Sequence, residues 1–276
     1  MRTTFALSML LCSVACDGQG DRVILSTPAN YSRPLLCPDG EHILYTDKNT
    51  VRKGDDKSYK PEIFVTDWSG TAPRKLGSGY AVDCWKDPAT GKVWVYAVEN
   101  LKTGKALALF AQRLVRFPLD QPEQRERVFE DSKLSPDNIQ LSSCGTMASG
   151  MAPWPHAGLI EMKEGAEFSK VSFGCWTSLS PDDSGLMWVL QGNHREVKML
   201  ADRGAETWSL QINGHPAMKG GEMYHPRWSN HPSIIAVTGP YIKPPGVSGS
   251  VVNKGGAVAD VYLGRLSRDA RSVESW

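Results

Sequence analysis

Residues 35–46 read LLCPDGEHILYT, and residues 178–189 repeat the same pattern as SLSPDDSGLMWV. Each stretch is a short apolar run, a Pro-Asp turn with a glycine, and a second run rich in strand-forming residues. In such a turn proline presets φ, aspartate hydrogen-bonds the local backbone, and glycine accepts a positive φ. We therefore predict that both stretches are β-hairpins and that they mark a repeated unit.

Further copies appear when each hairpin is paired with the segment that follows it. Residues 62–76, EIFVTDWSGTAPRKL, form a second strand, turn and strand, so one unit has four strands. The template fits five times, in units of roughly 38 to 56 residues. The paired segments are 35–46 with 62–76, 81–99 with 114–129, 138–151 with 158–173, 176–190 with 196–212, and 226–237 with 260–276.

Repeats of four short strands predict an all-β fold, a β-propeller of four-stranded antiparallel blades. We expect one propeller domain over residues 22–276, with five blades, and six as the alternative. Strands a to d of a blade run outward from the central channel. A large apolar residue beside each a–b turn is expected to contact the next blade: Leu36, Trp85, Leu141, Leu179 and Trp228. Residues 22–25 or 272–276 are candidates for the strand that closes the ring.

The first and fourth units resemble the blades of TolB-like propellers, relatives of the WD-repeat class. Those blades are written around a Trp-Ser-Pro-Asp-Gly turn. Here Leu36-Cys37 and Leu179-Ser180 replace Trp-Ser, and only Trp228-Ser229 keeps that pair at this place. The resemblance implies the propeller fold and a binding platform, and it is weakly specific for function.

Composition excludes several function classes. The 276 residues include 31 basic and 30 acidic side chains, with no basic run, so no nucleic-acid partner is expected. We find no P-loop, no glycine-rich dinucleotide turn and no serine nucleophile motif. No cofactor is therefore predicted.

The N-terminus is typical of export. Residues 1–15 have a positive start, an apolar stretch and a small-residue cleavage site, so we predict a signal peptide. Cys16 follows directly, which also fits a lipoprotein signal, although Ser13 stands where leucine is usual. Lipidation of Cys16, simple cleavage, and a cytoplasmic protein with an apolar start all remain open. The expected location is the periplasm or cell envelope, with membrane contact only through this anchor.

Four further cysteines have irregular spacing and no CxxC pair. Export permits disulfides, but we favour buried thiols over a bridge and do not expect a zinc site. These cysteines are Cys37, Cys84, Cys144 and Cys175.

The b–c loops and the starts of strand a should share one end of the channel, and the opposite end should consist mostly of turns. Binding residues tend to lie on loops held by a rigid scaffold. The tryptophan and arginine content indicates a carbohydrate or peptide ligand, or a protein partner. The candidate ligand-binding residues are Arg33, Asp83, Trp154, His156, Trp176, Asn193, His194, Arg195, His225 and Arg227.

Several alternatives remain beside this binding-module prediction. The histidines are also compatible with turn or inter-blade hydrogen bonding. A metal site of His156, His194 and His225 is conceivable, but no spacing requires it, so none is predicted. A carbohydrate-active hydrolase or lyase would use Asp83 with His194 or His225. The third alternative is a structural assembly module whose contacts spread over the blade edges.

Overall fold

The computed structural model describes residues 31–276 apart from residues 48–49, 54–55, 71–72, 104–108, 111, 131–132, 243–245 and 247–259. The predicted signal peptide, Cys16 and segment 22–25 lie outside the described residues. Within them, the only helical elements are three short 3-10 turns, Pro136–Asn138, Asp202–Gly204 and Pro216–Met218. In this part of the chain, no helix has the length and apolar character needed to cross a membrane.

Twenty of the strands form five antiparallel four-stranded sheets in chain order, which are the blades of a β-propeller. Blade 1 has β1 (Tyr31–Leu36), β2 (His42–Asp47), β5 (Glu62–Asp67) and β6 (Arg74–Ser78). Blade 2 has β7 (Tyr80–Lys86), β8 (Val93–Glu99), β11 (Arg113–Pro118) and β12 (Glu126–Phe129). Blade 3 has β13 (Gln140–Leu141), β14 (Met147–Met151), β15 (His156–Glu161) and β16 (Phe168–Phe173). Blade 4 has β17 (Cys175–Leu179), β18 (Met187–Leu190), β19 (Glu196–Ala201) and β20 (Glu206–Gln211). Blade 5 has β21 (Glu222–Trp228), β22 (Ile234–Tyr241), β23 (Asp260–Leu266) and β24 (Val273–Ser275).

The predicted fold class and the count of five blades are confirmed. Two regions that we expected to be plain b–c loops contain small hairpins. One pairs β3 (Thr50–Lys53) with β4 (Asp56–Tyr59), and the other pairs β9 (Lys102–Thr103) with β10 (Leu109–Phe110). These hairpins were missed because their strands are only two to four residues long.

The core lies between the blades, because each strand sends alternate side chains to opposite faces. In β19, Val197 and Met199 are fully buried against blade 5, whereas Leu200 is buried against blade 3. Four buried clusters join blades 1 and 2, 2 and 3, 3 and 4, and 4 and 5.

The predicted inter-blade layer is formed by four of its five residues. Leu141, Leu179 and Trp228 are buried. Trp85 is half-buried, and its indole Nε1 donates to the Ser143 carbonyl of blade 3 at 2.6 Å. The prediction is wrong for Leu36, which is 60% exposed because it faces a cavity in the channel instead of the next blade.

The repeated Pro-Asp turns form as the sequence predicts. Asp39 Oδ1 accepts from the backbone N–H groups of Glu41 and His42 at 2.9 and 3.1 Å. Asp182 Oδ1 accepts from the Ser184 backbone N–H at 3.1 Å. The glycines of the two turns, Gly40 and Gly185, have φ of 77° and 73°, in the left-handed region that favours glycine.

These turns predict a pH dependence of stability. Burial acts to raise the pKa of Asp39 and Asp182, but their hydrogen bonds outweigh it, so both pKa values lie below the ordinary 3.8. A carboxylate with a depressed folded pKa stabilises the fold above its unfolded pKa, and this is lost as pH falls through the folded value. We therefore expect the urea midpoint to fall from about pH 5 to about pH 3, and less steeply in the Asp39→Asn/Asp182→Asn variant.

The control for this pH dependence is Asp260→Asn, which removes an exposed carboxylate of blade 5. It should keep the wild-type profile. An unchanged profile in the double variant would show that the turn carboxylates do not titrate as proposed.

The four cysteines in the described residues are free thiols. Cys37 and Cys84 are buried between blades 1 and 2, as predicted. A hydrogen bond with Cys37, together with burial, raises the pKa of the Cys84 thiol. Cys144 is exposed, contrary to the expectation of burial, because it lies in the a–b turn of blade 3.

Candidate functional site

The innermost strand of most blades carries a β-bulge at the same place. The pairing register shifts between Ser32 and Leu35 in β1, Ala81 and Asp83 in β7, Cys175 and Ser178 in β17, and Tyr224 and Arg227 in β21. Bulges re-aim side chains and often lie near functional sites. The bulges of blades 4 and 5 contain Trp176 and His225, whose φ values of 42° and 51° are rare for residues other than glycine.

Trp176 and His225 belong to a cluster of rings where blades 4 and 5 meet. The Trp176 ring centroid lies 5.0 Å from that of His225 and 5.3 Å from that of Tyr224, both edge to face. His194 lies 4.5 Å from Tyr224 and 6.5 Å from Trp176. The structure therefore brings together three of the predicted site residues, and the buried Tyr224 ring lies within 6.3 Å of each of them.

Glu222 gives this cluster its charge. Its Oε2 accepts from the Tyr224 hydroxyl at 2.7 Å and lies 3.4 Å from His194 Nδ1. Both His194 and Glu222 are largely buried, with side chains 17% and 15% exposed. An ionised carboxylate only accepts hydrogen bonds, so His194 Nδ1 is the donor. We did not select Glu222 from the sequence, because no motif marks it.

Hydrogen bonds also set the tautomer of His225. Thr238 Oγ1 donates to the Tyr224 carbonyl at 3.0 Å and lies 3.1 Å from His225 Nδ1. Since the one hydroxyl proton points at the carbonyl, His225 Nδ1 is the donor. The His225 ring is exposed and held in one orientation.

Asn193 and Arg195 have structural partners in the b–c turn of blade 4. Asn193 Oδ1 accepts from the Arg195 backbone N–H at 3.0 Å, and its Nδ2 donates to Glu196 at 2.9 Å. Arg195 Nη2 donates to the Gly220 carbonyl at 3.3 Å. These contacts hold the turn that positions His194.

Blade 3 contributes exposed aromatic rings to the same end of the channel. Trp154 and Phe173 are each 57% exposed. Trp154 Nε1 donates to the Cys175 thiol at 3.3 Å, directly before Trp176. His156 packs against Phe173 with 4.8 Å between ring centroids, and its buried Nδ1 has no hydrogen-bond partner among the described residues. We call Trp154, Phe173, Trp176 and His225 the aromatic rim; Phe173 was not selected from the sequence.

Asp83 and Arg227 lie deeper in the channel and face the other end. Asp83 Oδ2 accepts from the Leu141 backbone N–H at 2.8 Å, and Oδ1 accepts from Cys84 N–H at 3.0 Å. Arg227 Nη2 lies 3.5 Å from Asp83 Oδ1, which joins blades 5 and 2 across the channel. Both residues line a cavity at the channel end that carries the a–b turns. We expected that end to consist mostly of turns.

Two further points concern the predicted set. Arg33 belongs to β1, and its side chain lies outside the described residues. Among the residues that are described, no group of three His, Cys, Asp or Glu side chains is arranged to hold a metal ion. His156, His194 and His225 therefore do not form the three-histidine site that we considered.

The fold is similar to solved propellers at low sequence identity. A protein described as "putative TolB" from Agrobacterium tumefaciens matches with a TM-score of 0.53 and 12% identity, over 90% of this chain and 81% of that one. An oligogalacturonate lyase in complex with manganese matches with a TM-score of 0.50 and 13% identity, over 89% of this chain and 66% of that one. No family model and no curated protein matches the chain. At these identities the likeness shows the fold alone.

Proposed function

We propose that the protein is an exported, lipid-anchored binding module that holds a carbohydrate or a peptide on its aromatic rim. The observation that carries the proposal is the pair of large exposed rings, Trp154 and Phe173, beside the ordered Trp176 and His225. Exposed large aromatic side chains on a rigid surface are characteristic of binding sites, since they offer apolar area at low entropic cost.

Of the two ligand classes we favour carbohydrate. The rim combines exposed aromatic rings, a side-chain type that packs on the apolar face of a pyranose, with an imidazole that can hydrogen-bond a hydroxyl. A cation, Lys170, lies against one of these rings, with its Nζ 3.8 Å from the Phe173 centroid. A peptide ligand or protein partner is the alternative outcome of the same test.

Export and anchoring rest on residues 1–15 and Cys16. Mass spectrometry of the mature N-terminus tests both. A diacylglycerol-modified Cys16 supports the anchored form, an unmodified mature N-terminus near Cys16 supports export alone, and an intact Met1 contradicts both.

The binding experiment uses a glycan panel that includes oligogalacturonate, for which a structurally similar protein is named. We expect Trp154→Ala and Phe173→Ala each to weaken binding by about tenfold, because a truncated aromatic hot spot typically loses more than 1 kcal/mol. Isothermal titration calorimetry against the best glycan measures the loss.

The matched control is Trp68→Ala. Trp68 is 55% exposed, close to the value for Trp154, but it lies in the c–d turn of blade 1 at the opposite end of the propeller. This variant should bind as the wild type does. Equal losses of glycan affinity in Trp68→Ala and Trp154→Ala would contradict the proposal. So would a glycan affinity that is the same in the rim variants as in the wild type. A peptide array that responds to the rim variants while the glycan panel does not would assign the rim to peptides.

The hydrolase or lyase alternative gains no support from the contacts of its proposed acid. Asp83 is held by two backbone N–H groups and Arg227, and no contact between described residues joins it to His194 or His225. In a glycoside hydrolase the acid and its partner flank one scissile bond, whereas Asp83 lines the cavity at the channel end opposite His194 and His225.

A further inference from the structure

A cavity of about 550 Å³ occupies the channel end opposite the aromatic rim. All five blades contribute to it, and its size is within the range of small-ligand sites. Its lining comprises residues 34–36 and Pro38 of blade 1, residues 83–86 of blade 2, residues 140–143 of blade 3, Pro181 of blade 4, and residues 227–230 of blade 5. The prolines of both repeated Pro-Asp turns are therefore wall residues of this cavity.

Part of the cavity lining is apolar. Leu36 is 60% exposed although its equivalents in the other blades pack between blades. Pro34 and Pro38 are exposed beside it, and Pro181 is half-buried. This concave site exposes a leucine among prolines. Covering them with an apolar group is favourable, because it removes apolar surface from water.

The channel wall at this end is tied together by hydrogen bonds of polar groups. Gln140 Nε2 donates to the Trp228 carbonyl at 3.2 Å, and the Ser178 hydroxyl bridges Gln140 Oε1 and the Trp228 backbone N–H. These bonds join blades 3, 4 and 5 around the channel. The site is thus pre-formed, which reduces the ordering cost of binding.

The charges of the cavity are unequal. Arg227 and Lys86 are cationic, and Asp83 is the one acid among the described lining residues. Asp83 has two backbone N–H donors of its own, at 2.8 and 3.0 Å, so its carboxylate is stabilised independently of the 3.5 Å contact with Arg227. The Arg227 side chain is 35% exposed and lines the cavity.

We propose that this cavity is a second binding site, distinct from the aromatic rim, for a carboxylate attached to an apolar body. The ligand carboxylate engages the Arg227 guanidinium, in competition with Asp83, while the apolar body covers Leu36 and the prolines. Arginine suits this exchange because its planar donors match a carboxylate. A small organic acid and the C-terminal residue of a peptide share this chemistry, and the volume admits either.

The probes are N-acetyl-leucine, N-acetyl-Ala-Ala-Leu with a free carboxylate, and their C-terminal amides. Binding is followed by calorimetry and by the ¹⁵N-indole signals of Trp85 and Trp228, which line the cavity. We expect both acids to bind and their amides to bind at least tenfold more weakly. Tighter binding of the tripeptide would identify a peptide end as the source, and equal binding would identify a small acid.

Two substitutions should change affinity in opposite directions. Arg227→Gln is expected to weaken binding of the acids by tenfold or more, whereas Asp83→Asn is expected to strengthen it severalfold by removing a carboxylate that competes for Arg227. If the Arg227–Asp83 pair had only a structural role, both variants would be less stable and neither would bind the acids more tightly. Leu36→Ser, at an exposed position where folding should be unaffected, is expected to weaken binding of acid and amide alike.

The control is Arg271→Gln, which removes an exposed arginine paired with Glu206 on the outer surface. It should leave binding unchanged. Equal affinity for acid and amide, or weaker binding in a folded Asp83→Asn variant, would overturn the proposal. If Arg227→Gln or Asp83→Asn fails to fold, the acid–amide comparison on the wild type and Leu36→Ser still decides it. The rim variants change a different surface of the propeller. Failure of the glycan experiment would therefore not affect the outcome of the carboxylate-binding experiment.

Discussion

Replacing Trp228 by alanine is expected to lower the free energy of unfolding by about 3–5 kcal/mol, the usual cost of removing a buried large aromatic side chain. Trp228 is 2% exposed and stacks on Trp188 of blade 4 with 4.1 Å between ring centroids. Its Nε1 also donates to the Pro232 carbonyl at 2.8 Å. The substitution would leave a cavity between blades 4 and 5 and an unpaired carbonyl. Urea unfolding followed by circular dichroism measures the change.

Trp68→Ala is the matched control for this prediction. Trp68 is 55% exposed and makes one indole hydrogen bond, to the Gly40 carbonyl at 2.8 Å. Its loss should cost about 1 kcal/mol or less, in line with one net hydrogen bond at the surface. Similar losses in the two variants would show that the stacked pair between the blades is not a main source of stability.

Replacing Gly158 by alanine is expected to destabilise the fold by about 3 kcal/mol or more, at the upper end of overpacking costs. A β-carbon there would lie 2.1 Å from the Ser169 carbonyl oxygen and 2.8 Å from Phe168 Cζ. Gly158 is in β15 and pairs with Lys170 of β16, so the carbonyl cannot retreat without disturbing the sheet. Thermal unfolding and the soluble yield of the variant measure the effect.

Gly192→Ala separates steric cost from the general effect of replacing glycine. A β-carbon at Gly192 would meet no atom within 4 Å beyond its chain neighbours, and the φ of this residue is outside the left-handed region. Alanine there should be neutral or slightly stabilising, by about 0.4–1 kcal/mol, because it restricts the unfolded chain. A Gly158→Ala variant as stable as Gly192→Ala would mean that blade 3 relaxes without cost.

The blades could be predicted because their signals are local. Turn chemistry at Asp39 and Asp182 and the alternation in strands such as β19 each lie within one short segment. The turn-and-strand pattern of a single blade is a weak signal, but it occurs five times along the chain. The strands of the small hairpins β3–β4 and β9–β10 are only two to four residues long, too short to show an alternating pattern.

The candidate sites could be predicted only in part. Shared loop position was enough to place Trp154, Trp176, His194 and His225 at one end of the channel, because propeller connectivity dictates it. Residue type could not reveal that Glu222 holds His194 and Tyr224, or that Phe173 is exposed. Those facts depend on side-chain directions that a bulge or a register shift reverses.

The sequence by itself determined the four-stranded repeat, the five blades and the sharing of one channel end by the b–c loops, since hairpins and alternation arise from neighbouring residues. Only the tertiary structure decided that Asp83 and Arg227, 144 residues apart, meet across the channel, and that Leu36 lines a cavity beside them. Closing five blades into a ring sets the width of the channel, and that width determines which side chains touch and which remain exposed. The repeated Pro-Asp turns thus shape the fold and also border a candidate binding site.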